Sequence, residues 1–383
     1  MSQTTNVYLV TGASGFLGQW IIKQMLKEEE IHEIRMMDKV INPELLKLKE
    51  ECNSKMQLKT FEGDIRDKAL LQKACCGVKT VIHTACIIDV IGAVEEEELE
   101  GVNVKGTQLL LEASIQENVK FFIYTSSVEV VGPNAQGDPI IDGDEDTVYK
   151  TNLKFPYSKT KHKGEQLVLK ANGQQLKNNE KMVTCTLRPM YIFGENSKFI
   201  LRYIDDAIKT GNILVRNSRP EALVNPVYVG NVAWAHVLLS KALQDPEKAR
   251  RIGGKFYFIS DDTPHMSYAD LNYEVAKDLG FRIQPRLTLP LPLLYVIAFL
   301  LELVRDILKP FIRYTPYINR PLLTMLNTPF SFIYKKAKKD FDYSPCYSWE
   351  EARKRTSEWI ASVLPQHREY VKCPSNTYKT LCK

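Results

Sequence analysis

Thr11-Gly-Ala-Ser-Gly-Phe-Leu-Gly18 is the stretch that decides the fold, because its spaced glycines connect a strand-like run to a helix-like run. The apolar run Asn6-Val-Tyr-Leu-Val10 precedes it, and Gln19-Trp-Ile-Ile-Lys-Gln-Met-Leu26 follows it. A buried strand, a glycine turn and a helix in that order place free backbone N–H groups where a pyrophosphate docks. The stretch therefore predicts a dinucleotide site, although glycine-rich turns before helices also occur for purely steric reasons.

An aspartate at the end of the next predicted strand indicates which dinucleotide is bound. The run Ile34-Arg-Met-Met37 ends at Asp38, twenty residues after Gly18. An acid at that strand end accepts hydrogen bonds from the adenosine ribose hydroxyls and repels a 2′-phosphate. We therefore expect NAD rather than NADP. A solvated turn aspartate is the alternative interpretation of Asp38, and the cation of Lys39 would soften the discrimination against a phosphate.

Strand and helix patterns alternate along the chain, regularly in the first half and less so in the second. Near-continuous apolar strands separated by helices predict an α/β fold, a Rossmann-type doubly wound parallel sheet covered on both faces. The second half is expected to carry the substrate pocket. The predicted strands are 56–61, 80–83, 121–124, 183–187, 225–229 and 255–259, and the predicted helices are 68–76, 104–116, 157–172, 199–209 and 231–242.

Composition excludes several classes of function. The 383 residues include 51 basic and 46 acidic side chains, a net charge of +5, without a basic block interleaved with aromatics. Nucleic acid is therefore not an expected partner. The eight cysteines form no C-x-x-C pair and, like His83, His236 and His265, show no metal-ligand spacing. We expect reduced, mostly structural thiols and no metal. The first five residues carry no signal-peptide pattern, so the enzyme domain is expected in the cytosol or facing it.

Two residues four apart at the start of a predicted helix suggest proton chemistry. Tyr157 and Lys161 project from one face, and an ammonium beside a phenol favours the phenolate, which makes a general base. The spacing alone is equally typical of an amphipathic helix start. Upstream, Tyr124-Thr-Ser-Ser127 ends a strand at the sheet edge where doubly wound folds bind ligands, so Ser127 can hold a substrate oxygen.

Motifs spread along the chain resemble the extended short-chain dehydrogenase/reductase superfamily. They are the three glycines, Asp38, Gly63-Asp-Ile65, His83-Thr-Ala85, Asn103-Val-Lys-Gly-Thr107, Tyr124–Ser127 and Tyr157-Ser-Lys-Thr-Lys161. Longer strings resemble one family within it, the 3β-hydroxy-Δ5-steroid dehydrogenase/Δ5-Δ4 isomerases. These strings are Cys86-Ile-Ile-Asp-Val90, Leu187-Arg-Pro-Met-Tyr191, Val227-Tyr-Val-Gly-Asn-Val-Ala-Trp-Ala-His236 and Ile259-Ser-Asp-Asp-Thr-Pro-His265. The resemblance runs from about residue 6 to residue 365.

The resemblance implies roles for individual residues. Tyr157, Lys161 and Ser127 match the catalytic tyrosine, lysine and serine, and Asn103 matches the asparagine that supports the lysine through backbone and water. The family often has proline after the tyrosine, whereas here Pro156 precedes it. The implied cofactor contacts are Gly12, Gly15, Phe16, Leu17, Gly18, Asp38, Lys39, Asp64, Ile65, Thr84 and Ala85, together with Tyr157 and Lys161.

The resemblance also implies two reactions on a steroid. Tyr157 takes the proton of a 3β-hydroxyl while the C3 hydride passes to the nicotinamide, and Lys161 also holds the nicotinamide ribose. Moving the double bond from C5 to C4 then needs a base and an acid, which the resemblance assigns to Asp261 and Tyr257, with Asp262 as the other candidate base. The alternative is that Asp-Asp-Thr-Pro forms a turn with helix-capping value.

An uncharged segment from Leu287 to Leu301 is followed by apolar residues at helical spacing. It contains Pro290 and Pro292 and is shorter than the roughly 20 residues that span a bilayer. We expect an apolar helix at a membrane interface, or alternatively a lid over an apolar pocket. The implied locations are the endoplasmic reticulum and mitochondrial membranes, and a homo-oligomer is expected by resemblance. The predicted regions are 1–190 for NAD, 191–286 for substrate, 287–313 for the membrane, and 314–383 for the remainder and tail.

Four competing functions remain open from the sequence. A 3-ketosteroid reductase using NADPH, or another sterol dehydrogenase without isomerase activity, would keep the same scaffold. A nucleotide-sugar epimerase needs a polar pocket, which the apolar 291–301 and Phe256-Tyr-Phe258 disfavour. A non-catalytic cofactor-binding protein usually lacks the tyrosine or the lysine, and both are present here.

Overall fold

The strands of the computed structural model are short and mostly buried. The structure describes residues 6–51, 56–133, 137–151, 153–312 and 314–372. Its strands are β1 Val7–Thr11, β2 Glu33–Asp38, β3 Gln57–Glu62, β4 Thr80–His83, β5 Phe121–Thr125, β6 Ile140–Gly143, β7 Val183–Pro189, β8 Ile192–Phe193, β9 Ile213–Leu214, β10 Val227–Tyr228, β11 Phe256–Ile259, β12 Arg282–Ile283 and β13 Phe330–Phe332.

Helices occupy most of the connections between these strands. They are α1 Phe16–Met25, α2 Glu44–Glu51, α3 Lys68–Cys75, α4 Glu96–Glu100, α5 Thr107–Gln116, α6 Pro156–Lys170, α7 Lys198–Lys209, α8 Val229–Ala242, α9 Pro246–Ile252, α10 Tyr268–Ala276, α11 Leu291–Leu308, α12 Arg320–Asn327, α13 Lys335–Phe341 and α14 Trp349–Lys372. A π-helical segment, Gly101–Gly106, connects α4 to α5.

Seven strands form one parallel sheet in the order β11-β7-β5-β4-β1-β2-β3. The chain moves outward from β1 in one direction through β2 and β3, and in the other through β4 and β5. The strand order therefore reverses between β1 and β4, and open α/β sheets bind ligands at such a switch point, outside the carboxyl ends of the strands. The predicted α/β, Rossmann-type parallel sheet is confirmed.

Both faces of the sheet are covered because alternate strand residues are apolar on each side. In β1, Val10 packs in one hydrophobic cluster with residues of α1 and α8, and Leu9 packs in another with residues of α3, α5 and α6. All five residues of β1 are buried. This arrangement explains the near-continuous apolar strands in the sequence.

The later part of the chain packs back onto the earlier part through three small parallel pairs, β8 with β10, β9 with β12 and β6 with β13. The pairing of β13 with β6 brings residues 330–332 beside the segment that leads into α6. Of the predicted C-terminal regions, residues 313 and 373–383 lie outside the described residues, as do residues 1–5 at the other end.

Helix α11 is apolar but largely uncovered. Among its residues only Ala298 and Glu302 are buried. The buried Glu302 carboxylate accepts hydrogen bonds from Arg320, at 2.7 Å from its backbone N–H and 2.8 Å from Nε, which fastens α11 to the start of α12. In the part of the chain that the structure describes, no helix combines the length and apolarity needed to cross a bilayer.

Candidate active site

Two positions in the turn after β1 leave no room for a side chain. Gly12 has a φ of +71°, in the left-handed region, and a Cβ there would lie 2.7 Å from the Ala85 nitrogen and from Thr84 Oγ1. A Cβ on Gly18 would lie 2.1 Å from the Gly12 carbonyl oxygen. Gly15 caps α1 without a side-chain hydrogen bond, so the first N–H groups of the helix are left for a ligand.

Asp38 closes the other side of this turn. Its carboxylate accepts hydrogen bonds from the backbone N–H groups of Ser14, at 2.8 Å, and of Lys39, at 2.7 Å. Burial raises the pKa of Asp38, and these backbone hydrogen bonds oppose that rise. Because a carboxylate has about four lone-pair sites, acceptor positions remain for sugar hydroxyls.

The remaining predicted cofactor residues lie directly after β2, β3 and β4 and at the start of α1. Thr84 Oγ1 donates to the Thr11 carbonyl at 2.7 Å, which places Thr84 and Ala85 against the glycine turn. Ile65 is buried and packs on Gly106 of the π-helical segment. The Asp64 carboxylate hydrogen-bonds Arg66, which lowers the pKa of Asp64 to about 2. Phe16 and Leu17 form the first turn of α1, and the Lys39 side chain is exposed.

Tyr157, Lys161 and Ser127 are brought together at the carboxyl end of β5. Tyr157 and Lys161 are both buried on α6, and Ser127 lies close enough to the Tyr157 phenol to lower its pKa. The Lys161 ammonium donates to the Thr125 carbonyl at 2.6 Å and lies 4.2 Å from the centroid of the Tyr124 ring. The structure therefore brings together the three residues that the resemblance assigns to catalysis, and their roles stay a prediction.

The protein by itself keeps the Tyr157 phenol protonated. Burial raises its pKa well above the ordinary value, Cys86, Glu129 and Tyr124 add to the rise, and Ser127 opposes it. The sequence-based expectation of a pKa lowered by Lys161 is therefore not met within the protein's own groups. Burial disfavours the charge on Lys161, but Tyr124, Cys86 and Glu165 outweigh it and raise the Lys161 pKa.

Asn103 lies in the π-helical segment and stabilises the loop after β4. Its amide accepts from the Ile87 N–H at 2.8 Å and donates to the Ile87 carbonyl at 3.0 Å and to Thr160 Oγ1 at 3.1 Å. Thr160 precedes Lys161, so Asn103 is connected to the lysine through backbone. Single-turn π-helices of this kind are frequent at functional sites.

His83, which belongs to the His83-Thr-Ala85 motif and shows no metal-ligand spacing in the sequence, connects the two halves of the site. Its Nδ1 lies 2.7 Å from Thr11 Oγ1 and its Nε2 lies 2.9 Å from Thr107 Oγ1. Thr107 donates its own proton to the Asn103 carbonyl at 2.8 Å, so Nε2 of His83 is the protonated nitrogen. Burial lowers the pKa of His83 to about 3, which keeps the ring neutral.

Glu129 acts both on Tyr157 and on an aromatic group that contains Tyr268, and sequence patterns indicated neither the carboxyl group nor the aromatic group. Glu129 accepts a hydrogen bond from Ser158 Oγ at 3.0 Å, and burial raises its pKa to about 7. The rings of Tyr191 and Tyr268 meet edge to face at a centroid distance of 5.0 Å, and burial raises both pKa values. Tyr203 belongs to the same group, which makes this side of the site poorly solvated.

The three residues assigned to the isomerisation have separate partners. Tyr257 is fully buried and donates to Asp340 Oδ2 at 2.7 Å. Asp261 accepts from the Tyr228 N–H at 2.9 Å, Asn231 Nδ2 at 2.8 Å and the Thr263 N–H at 3.0 Å. These contacts form a turn from Asp261 to Thr263 and connect it to the start of α8.

The exposed Asp262 accepts a hydrogen bond from the Tyr334 hydroxyl at 2.8 Å. The described contacts of Asp261, Asp262 and Tyr257 therefore have no partner in common.

Comparison with protein families gives one match that covers most of the chain. The sequence model of the 3-beta hydroxysteroid dehydrogenase/isomerase family matches residues 9–291. That range contains the glycine turn, Asp38, Ser127, Tyr157, Lys161 and Asp261.

Solved structures with the same fold are more distant in sequence. Gox2253 is 24% identical, with a TM-score of 0.66 over 94% of this chain and 98% of its own. MoeE5, solved with UDP-glucose and NAD, is 20% identical, with a TM-score of 0.66 over 94% and 100%. The Streptomyces venezuelae dTDP-glucose 4,6-dehydratase DesIV, a double mutant solved with NAD and DAU, is 17% identical, with a TM-score of 0.65 over 94% and 98%. These likenesses establish a shared fold.

The buried contacts of Asp261 predict a loss of stability on substitution. Asp261→Asn replaces a carboxylate that accepts three buried hydrogen bonds, so we expect the free energy of unfolding to fall by about 2–3 kcal/mol. Chemical denaturation at neutral pH measures this. Asp262→Asn, at an exposed position, is the matched control and should change stability by no more than about 0.5 kcal/mol. Equal stability of Asp261→Asn and the wild type would contradict the structural role.

Glu129 predicts a pH-dependent stability. Its folded-state pKa of about 7 exceeds the ordinary 4.5, so the folded protein retains a proton that the unfolded chain releases between these values. Its contribution to the free energy of unfolding therefore falls as the pH rises through that window. Glu129→Gln has no carboxyl group to titrate, so the pH-dependent loss of stability is absent from this variant. The free energy of unfolding of the variant minus that of the wild type should therefore increase by about 3 kcal/mol between pH 4.5 and a pH above 7. Urea denaturation at several pH values measures the difference, and a constant difference would refute the prediction.

Proposed function

Because the chain belongs to the 3-beta hydroxysteroid dehydrogenase/isomerase family, we propose that it oxidises the 3β-hydroxyl of a Δ5-steroid with NAD and then moves the double bond from C5 to C4. The observation that carries the oxidation is the burial of Tyr157 and Lys161 at the carboxyl end of β5, where the Lys161 ammonium donates to the Thr125 carbonyl at 2.6 Å and Ser127 acts on the Tyr157 phenol. The group of Tyr191, Tyr203 and Tyr268 supports an apolar substrate. A nucleotide sugar would need polar groups there.

The residues at the switch point fit NAD. The close approaches at Gly12 and Gly18 leave a turn without side chains in front of the α1 N-terminus, which suits a pyrophosphate. Asp38 retains acceptor sites for ribose hydroxyls and would repel a 2′-phosphate. Lys161 has three donors and commits one to Thr125, which leaves donors for the nicotinamide ribose.

The oxidation removes a proton from the substrate hydroxyl and a hydride from C3, the carbon that bears it. Ser127 orients the substrate oxygen, and Tyr157 as phenolate removes its proton. The chemistry that NAD supplies when bound is acceptance of the hydride from C3. Because burial disfavours the Tyr157 phenolate, the ammonium of Lys161 has to stabilise it when the substrate is in place. General-base assistance of this kind contributes about 10² to 10⁴ in rate.

We assign the isomerisation to Asp261 as the base that removes a C4 proton and Tyr257 as the acid that reprotonates C6, with Asp262 as the other candidate base. Burial raises the pKa of Asp261, which favours a carboxyl that accepts protons. To act on the substrate, Asp261, Asp262 or Tyr257 has to give up a hydrogen bond that it now makes within the protein. Oxidation without isomerisation is the alternative function that these contacts favour.

We also propose that α11 attaches the enzyme to a membrane surface, at the endoplasmic reticulum or the mitochondrion. The exposed apolar residues of the helix support this: Leu293, Val296, Phe299, Leu300, Leu303, Val304 and Ile307. Such a face would bind at the interface between headgroups and acyl chains, where steroids also partition. Self-association, expected by resemblance, stays a prediction.

Tyr157→Phe separates the two reactions. The purified protein is incubated with NAD and a 3β-hydroxy-Δ5-steroid such as pregnenolone, and reduced nicotinamide and the conjugated enone are followed together. We expect both products from the wild type. The variant should lose oxidation at least about 10²-fold, while isomerisation of an added Δ5-3-ketosteroid continues. If the wild type reduces nicotinamide without forming the enone, the protein is a dehydrogenase without isomerase activity. If the wild type forms neither product, the steroid assignment is refuted. If Tyr157→Phe loses oxidation and isomerisation equally, the two reactions do not have separate sites.

Charges on the exposed face of α11 should weaken membrane binding. Leu300→Asp with Ile307→Asp removes two large apolar side chains from the interface, so partitioning to vesicles should fall more than tenfold. Co-sedimentation with phosphatidylcholine and phosphatidylserine vesicles measures this. Val148→Asp, at a position 94% exposed outside α11, is the control and should bind as the wild type does. Unchanged binding of the double variant would refute the proposal.

A further inference from the structure

Helix α6 carries a third buried ionisable residue beyond Tyr157 and Lys161. Glu165 lies one turn after Lys161, on the same face, and its side chain is fully buried. Its two carboxylate oxygens accept from Arg188 Nε at 2.9 Å and Nη2 at 2.6 Å. This two-point contact fixes both the distance and the orientation of α6 relative to β7.

The guanidinium of Arg188 also contacts two aromatic rings of β11. Its guanidinium lies 3.5 Å from the centroid of the Phe256 ring and 5.4 Å from that of Phe258, both on β11. Only 9% of its side chain is exposed. An arginine stays protonated in proteins, so the pair places one permanent positive charge against the Glu165 carboxylate inside the protein.

The charge balance between Arg188 and Glu165 matters because the Glu165 carboxylate acts on the Lys161 ammonium. Glu165 is among the groups that raise the Lys161 pKa, and the others are Tyr124 on β5 and Cys86 in the loop after β4. Glu129 faces Tyr157 from the segment after β5, and the neutral His83 faces Lys161 from β4. Arg188 offsets the Glu165 charge in part, so the loss of either partner changes the charge behind Lys161.

We propose that Arg188 and Glu165 are positioning residues of the oxidation: the pair fixes α6 against the sheet and sets the charge that Lys161 and Tyr157 experience. The proposal rests on the proposed function for its effect on turnover. Its effect on Tyr157 itself requires no substrate. A buried pair that only held the fold together would affect stability and leave the ionisation of Tyr157 unchanged.

The test follows the ionisation of Tyr157 in the NAD-saturated protein. Tyrosinate absorbance is measured as a function of pH for each variant and for the same variant with Tyr157→Phe added. The difference between the two curves gives the pH midpoint at which Tyr157 ionises. Glu165→Gln leaves Arg188 unbalanced and should lower the midpoint by about one pH unit. Arg188→Gln leaves Glu165 unbalanced and should raise it by a similar amount. The double variant should restore the wild-type midpoint with a lower kcat for the steroid.

Two comparisons distinguish a charge effect from general damage. Asp270→Asn leaves Arg216 unpaired in another largely buried ion pair, whose nitrogen–oxygen distance is 2.6 Å, and should not move the midpoint. Arg188→Lys keeps the charge but loses the two-point contact, so its midpoint should remain while kcat falls.

Three results would overturn the proposal. The first is single-variant midpoints that do not move, and the second is midpoints that move in the same direction. The third is a Glu165→Gln/Arg188→Gln double variant whose Tyr157 midpoint and kcat both equal those of the wild type. This third result can be obtained even when neither single variant folds. If the wild type oxidises no steroid, the proposed function fails, and the midpoints still decide this inference.

Discussion

The buried ammonium group of Lys161 is the constraint on which the active site depends. A charge removed from water is costly unless hydrogen bonds and neighbouring groups compensate for it. Here the Thr125 carbonyl accepts a hydrogen bond from the ammonium, and the Tyr124 ring lies against it. Both groups belong to the end of β5, so the requirement to solvate Lys161 also fixes α6 against the sheet and determines where Tyr157 stands.

The same requirement accounts for a second layer of buried polar residues. Thr125 Oγ1 lies 2.8 Å from Nε2 of His236, whose Nδ1 donates to the Val232 carbonyl at 2.8 Å, so α8 supports the strand end that holds Lys161. On the other side, His83 connects the glycine turn to Asn103. Burial lowers the pKa of both histidines, and neutral rings transmit position without adding charge.

The sequence predicted the dinucleotide half of the site better than the substrate half. Gly12, Gly18 and Asp38 were identified because their role depends on local order along the chain, a strand, a turn and a helix. Tyr157 and Lys161 share one helix face, so their spacing alone placed them together. Glu129, Tyr191 and Tyr268 come from three separate segments, and no periodicity connects them. The assignment of Tyr257 and Asp261 to one reaction rested on closeness along the chain, whereas their side chains contact different elements.

The sequence by itself determined the parallel sheet and the place of the cofactor crevice, because strand periodicity, glycine spacing and helix-face spacing are local properties that neighbouring residues impose. Only the tertiary structure decided the environment of each ionisable group. Burial keeps Tyr157 protonated and brings the pKa of Glu129 to about 7, against the opposing effects of Ser127 and Ser158. The fold also buries the Arg188–Glu165 pair behind Lys161. These effects depend on distances of a few ångströms between segments far apart in the chain, and electrostatic and desolvation energies change steeply over such distances.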